Sequence, residues 1–186
     1  MARRARRTRW IVLLVVALVL GGAVAAVVLS QPDLADARDR VDDTWTPLRS
    51  PLDSRYDALA VVQQALTEAG AADRAVTQDL AAKLERWSSL AAKDDADPGA
   101  EVQTADELES LARRVRANVF ASDRLRSNPT LAAAIAAFDQ AIPPEPAVKA
   151  YNRAARRYED ERTGTIRSIV AGVLGFDARA QLVLGP

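Results

Sequence analysis

The chain has no cysteine and no histidine. Without cysteine there is no disulfide framework, no thiol nucleophile and no thiolate for a metal. Without histidine there is no imidazole base, so a Ser-His-Asp triad and a Cys/His zinc site are both excluded. Glycine and proline are sparse, 8 and 9 residues against 38 alanines in a chain of 186. That balance favours helix throughout. No Gly-rich phosphate loop is present, and no stretch alternates with the period of a strand. Neither sign of charge is in excess: 25 Lys and Arg balance 25 Asp and Glu.

The balance conceals a division. Residues 1–30 carry five arginines (Arg3, Arg4, Arg6, Arg7 and Arg9) and no acid, while the remainder carries all 25 acids and is net acidic. After the basic flank (residues 1–9) comes a run without a charged or strongly polar side chain, residues 10–29. Twenty helical residues span about 30 Å, the thickness of a bilayer's hydrocarbon core. The run therefore reads as a transmembrane helix, with Trp10 and Leu29 marking the ends of the membrane anchor. Ala23-Val24-Ala25 has the spacing of a signal-peptidase site. The apolar run continues past it, longer than an export signal's usual core, which favours retention. The positive-inside bias places the N-terminus in the cytoplasm, the chain in the cytoplasmic membrane as a single pass, and the rest outside the cytoplasm.

Residues 32–66 hold one apolar stripe: Val41, Trp45, Leu48, Leu52, Tyr56, Leu59, Val62 and Leu66. Its steps of three and four are those of a helix buried along one side, close to a heptad seam. Pro47 and Pro51 fall inside it and predict a kink, and Gly70 an end. A second helix is expected over residues 71–92, with Val76, Leu80, Leu84, Trp87 and Leu90 inward. A polar loop follows over residues 93–99. A third helix covers residues 102–122, with the stripe Leu108, Leu111, Val115 and Val119. Ser127-Asn128-Pro129 reads as a cap followed by proline in the first turn of a shorter helix. After the break at Pro143-Pro144, a last helix is expected to run unbroken through Val148, Tyr151, Ala155, Tyr158, Arg162, Ile166, Ile169 and Val173, with Gly164 near its middle. Residues 177–186 read as a C-terminal tail. The expected fold is all-α: an N-terminal transmembrane helix followed by an antiparallel bundle of three to four long helices over residues 32–176.

Two stretches resemble the LemA family. The run Ala37-Arg38-Asp39-Arg40-Val41-Asp42-Asp43-Thr44-Trp45, then Leu52-Asp53-Ser54-Arg55-Tyr56-Asp57, is similar to that family's Val-Asp-x-x-Trp and Arg-Tyr-Asp-Leu-like elements on one long helix. Tyr151-Asn152 to Tyr158-Glu159 resembles its repeated Tyr-Asn element, and Val170-Ala171 to Gly175-Phe176 resembles its closing Val-Ala-x-x-x-Gly-Phe. The chain departs from the family pattern at Ala58-Leu59-Ala60-Val61, where Ile-Pro-Asn-Leu is usual, at Glu159 and at Gly164. It also lacks a Tyr-Pro-x-Leu motif near residue 122. The resemblance implies a single-pass membrane protein with a long-helix bundle and no settled activity. It also implies partners in the envelope, such as TPM-domain membrane proteins or HtpX-like zinc peptidases.

Chemical candidates are few. Asp94, Asp95 and Asp97 lack the ligand order of a calcium loop and read as a solvated acidic loop. Glu159, Asp160 and Glu161 diverge around a helix and read as a solvated face. Asp42 and Asp43 beside Arg40 read as surface ion pairs. Tyr151 lies on the stripe, and Asn152 one position on needs a buried partner or a bound one. Asn152 together with Arg153, Arg156 and Arg157 forms the candidate partner surface. No catalytic, cofactor-binding or metal-binding residue is assigned, and no cofactor is expected. The net acidity of the bundle argues against nucleic acid. The functional expectation is a membrane-anchored, non-catalytic scaffold or adaptor for envelope proteins. The alternatives are a homo-oligomeric membrane organiser and a carboxylate-based hydrolase.

Overall fold

A computed structural model describes residues 32–93, 96–163, 168 and 171–184. Among the described residues every regular element is helical. The helices are α1 (Ala2–Leu66), α2 (Ala75–Ala91), α3 (Pro98–Phe120), α4 (Asp123–Arg126), α5 (Pro129–Gln140), α6 (Glu145–Arg162) and α7 (Thr165–Leu174), with a wide turn over Thr67–Ala71 closing α1. The run over residues 10–29 lies outside the described residues, as do Asp94 and Asp95. Among the described residues no helix is long and apolar enough to cross a membrane.

The stripe of α1 is the spine of the core. Val41, Trp45, Leu48, Leu52, Tyr56, Leu59, Val62 and Leu66 are all buried. Fully burying such side chains contributes about 1.5–3 kcal/mol each. α1 is helical through Pro47 and Pro51, so neither proline breaks it. Pro47 is exposed and Pro51 half-exposed. The two lost bonds therefore fall on the outer side, where water reaches the freed carbonyls. Gly70, at φ 74°, turns the chain out of α1.

Contacts along α1 give the direction of every other helix. Glu101 of α3 meets Trp45, while Glu109, two turns on, meets Arg55. α3 thus runs parallel to α1. α2 is antiparallel to both: Trp87 meets Asp53, and Lys83 and Asp79 pair with Glu107 and Arg114. Phe138 of α5 lies beside Arg55, Tyr151 of α6 beside Trp45 and Ala171 of α7 beside Leu34. α5, α6 and α7 therefore descend α1 as one broken column. The result is an up-down-up-down bundle, within the expected all-α class.

Boundaries moved at both punctuation points. α3 begins at Pro98, one turn earlier than expected, because the Asp97 carboxylate accepts from the Ala100 amide at 3.1 Å as an N-cap. Asn128 caps α5 through the Leu131 amide, as the sequence predicts. The last helix is not continuous. α6 ends at Arg162 with Thr163 as its cap and α7 (Thr165–Leu174) is a separate helix. Gly164, Ile166 and Ile169 of the expected stripe lie outside the described residues, and Val173, expected inward, is exposed. The largest difference concerns residues 177–186. The described part of that tail, to residue 184, packs on the bundle, with Arg179 and Leu182 both buried. Gly175, at φ 71°, permits the reversal, and the Phe176 amide donates to Ala171 O across it at 2.9 Å. This six-to-one bond is a Schellman closure, and Phe176 packs with Ala171 and Leu34 as such closures favour.

Candidate functional site

Residues 176–184 lie along α6 as an extended strap. What holds it is side chain against backbone. Tyr151 and Tyr158, seven residues apart and so on one face of α6, donate their hydroxyls to Ala180 O and Asp177 O, each at 2.8 Å. Asn152 donates its amide to Leu182 O at 2.9 Å and accepts from the Leu182 amide at 2.8 Å. The Glu159 carboxylate, again seven positions on, accepts from the Arg179 amide at 2.8 Å. A helix face thus offers the strap what a strand edge would offer.

Burial raises the ionisation of Tyr151 and Tyr158 above the ordinary tyrosine range, with smaller opposing effects from Arg179. Both stay protonated and able to donate at neutral pH. Two buried strap side chains anchor it, with Phe176 and Leu184 packed part-buried at its ends. Leu182 joins the main core. The Arg179 guanidinium reaches across to α1 and to the start of α3, meeting both Asp42 oxygens at 3.3 and 3.4 Å and Asp97 at 3.5 Å. Arg38 closes the group on Asp42 and Asp97. Gly99 lies directly beneath the guanidinium, where a Cβ would collide with it. A cleft of about 600 Å³ remains alongside the strap, between Gln103 and Gly99 of α3 and Ala178 and Gln181.

The candidate residues separate accordingly. Asn152 is not an open partner residue: its amide is committed to Leu182. Arg153 and Arg157 are exposed, and Arg156 is exposed beside Gln181 at 3.4 Å. Glu159 is not part of a solvated face, since it receives the Arg179 amide and the Arg162 guanidinium. Asp160 is exposed and Glu161 half-exposed. Asp42 is a latch residue and also pairs with Arg38 one turn back on α1, whereas Asp43 is exposed. Asp97 serves both the cap and the latch. Trp10 and Leu29 lie outside the described residues.

Sequence reasoning missed the buried charges. Arg55 and Glu109 are wholly enclosed and meet through two bonds, Nε to Oε1 at 2.6 Å and Nη2 to Oε2 at 2.9 Å. Arg55 also donates to Phe138 O and Ala141 O and lies over the Phe138 ring, tying α1, α3 and α5 together. Glu101 accepts from Trp45 Nε1 at 2.6 Å and from Arg49 Nε at 2.9 Å. A signal was present for both. Arg55 stands seven residues from Leu48 and from Val62, inside the seam. The α3 stripe, carried back two steps from Leu108, reaches Glu101. Among the described residues no three acidic side chains are grouped as a metal site would require. No protein-family model, no curated protein and no solved structure matches the chain.

Proposed function

We propose that the chain is a single-pass, membrane-anchored helical bundle, a divergent LemA-like protein, that serves as a non-catalytic scaffold or adaptor for protein partners in the envelope. The observation that carries this reading is where the bundle starts. Leu34, five residues after the uncharged run ends at Leu29, is fully buried against Ala171. At 1.5 Å per helical residue, that leaves about 8 Å between the apolar run and the packed domain. A bundle so close to its anchor is held at the bilayer surface rather than on a tether. With the N-terminus cytoplasmic, the bundle stands outside the cytoplasm.

The charged interior supports a structural role over hydrolysis. Glu109 faces Arg55, Glu101 faces Arg49 and Asp42 faces Arg179. Each of these carboxylates spends its oxygens on a guanidinium and serves as a structural contact rather than as a free acid–base group. The exposed arginines Arg153 and Arg157, one turn apart on α6, are the surface from which to test partner binding. Photo-crosslinking residues placed there, in cells, should capture a reproducible membrane or envelope protein. Capture of the chain's own copies alone would replace the adaptor with the self-assembling organiser. A reporter fused after Pro186 that is active only in the cytoplasm would overturn the topology.

A further inference from the structure

The strap is bound in the way a peptide is bound. Four side chains of α6 (Tyr151, Asn152, Tyr158 and Glu159) take its carbonyls and amides, and they would do so for any extended backbone. The two fully inward strap side chains stand three residues apart, the Arg179 guanidinium between Asp42 and Asp97 and the Leu182 side chain in the core, while Phe176 and Leu184 pack part-buried at the two ends. The side chains between them, Ala180 and Gln181, are exposed. The strap also underfills its site, since the cleft beside it stays open.

From this we infer that the α6 face, with Asp42 and Asp97 opposite, is a receptor groove for an extended segment of a partner protein bearing arginine and, three residues on, leucine, and that residues 176–184 occupy the groove in cis and keep it closed. The inference rests on the adaptor reading and names its binding mode. The partner is a different protein rather than a second copy. An identical strap from a neighbour gains no contact that the cis strap lacks, and it forfeits the millimolar effective concentration that a short tether provides. A foreign segment that also fills the cleft along Gln103 and Gly99 gains contacts the strap does not make.

The test uses the full chain in detergent micelles and, as probe, a fluorescein-labelled synthetic peptide of residues 175–186, read by anisotropy. Two variants open the groove from the strap side, Leu182→Asp and Arg179→Ala. Each should bind the peptide at least about tenfold more tightly than the unaltered chain, whose own strap competes. A peptide carrying Arg179→Ala should lose about tenfold, and adding Asn152→Asp to an opened chain should abolish binding. If both opened variants keep their helical circular dichroism and leave the anisotropy flat, or bind the altered peptide equally well, the groove is refuted.

The choice of occupant has its own readout, because the chain is free of cysteine. Copies carrying Arg156→Cys are mixed with copies carrying Gln181→Cys. Cross-linking between copies would show strap exchange and overturn the foreign partner. In cells, a photo-crosslinker at Gln103 in the Arg179→Ala chain should capture a peptide whose sequence contains Arg-x-x-Leu, and a captured peptide without it counts against the inference. Capture from Arg153 or Arg157 of a partner lacking that sequence would sink the groove while leaving the adaptor standing.

Discussion

Two arginines pass through the interior, and they are held differently. Arg55 is wholly enclosed, as is its partner Glu109, and its further donors go to main-chain carbonyls of the α5 terminus. Arg179 is nearly as buried, but Asp42 keeps a quarter of its side chain in water and Asp97 more than half. The Arg179 contacts are also longer, 3.3–3.5 Å against 2.6–2.9 Å. One is a lock that orients three helices. The other is a latch whose carboxylates are already close to solvent. Removing either side of the lock strands a charge in apolar surroundings, whereas opening the latch returns all its charges to water.

Breaking the lock should have the largest effect. Arg55→Ala or Glu109→Ala is expected to lower the unfolding free energy by about 3–5 kcal/mol in urea titration, because the remaining charge is left unpaired. Replacing both by apolar residues of similar volume (Arg55→Met with Glu109→Leu) should recover most of that loss. A loss in the double variant as large as in the singles would mean that the pair's own attraction, and not the stranded charge, sets the cost.

The pH response should divide along the same line. Tyr56, Tyr151 and Tyr158 all ionise above the usual range, chiefly through burial. The unfolded chain releases those protons near pH 10 and the folded chain only at higher pH. Their stabilising contribution is complete below pH 10 and is lost as pH rises through the folded values. A phenolate cannot donate, so Tyr151 and Tyr158 should let go of Ala180 and Asp177 as they ionise. A fluorophore on a cysteine placed at exposed Val183 should report strap release at a lower pH than the loss of helical circular dichroism. Coincident transitions would mean that the strap is as integral as the lock.

Arg179→Ala should cost about 1 kcal/mol, well under the Arg55 change, since its partners are hydrated once it is gone. Gly99→Ala should push the Arg179 guanidinium off its seat and loosen the strap with it, seen as faster amide exchange at Leu182. The smallest expected effect has the opposite sign. Gly172, in α7, has no atom within 4 Å of where a Cβ would stand, so Gly172→Ala should stabilise by about 0.5–1 kcal/mol in thermal denaturation.

The α1 seam and the cap at Asn128 were legible because each depends on neighbours within a turn or two of helix. A three-and-four spacing can bury only one face, and Asn-Pro can start only one kind of turn. Arg55 and Glu101 were legible in position but not in role. A charge inside an apolar stripe signals a partner without saying which of 25 opposite charges supplies it. The strap left the weakest trace. Residues 176–182 alternate apolar and polar side chains, an extended-chain period, but the run is single and short beside the helices, so it reads as a tail. Their binding groups, from Tyr151 to Glu159, lie about 20 to 30 residues earlier and were legible only as a helix face with a polar Asn.

What the sequence alone determined was the helical class, the inward side of α1, α2, α3 and α6, and the separation of an apolar basic-flanked run from an acidic bundle. Those follow from side-chain period and composition, which act locally. What tertiary structure decided was which charges meet, where the final column breaks, and that residues 176–184 return to α6. Those depend on partners as much as 137 residues apart, as Asp42 and Arg179 are, brought together only when α1 and the α5–α7 column pack. Buried polar groups must be satisfied by whatever the assembled bundle places within reach, and no local pattern encodes that geometry.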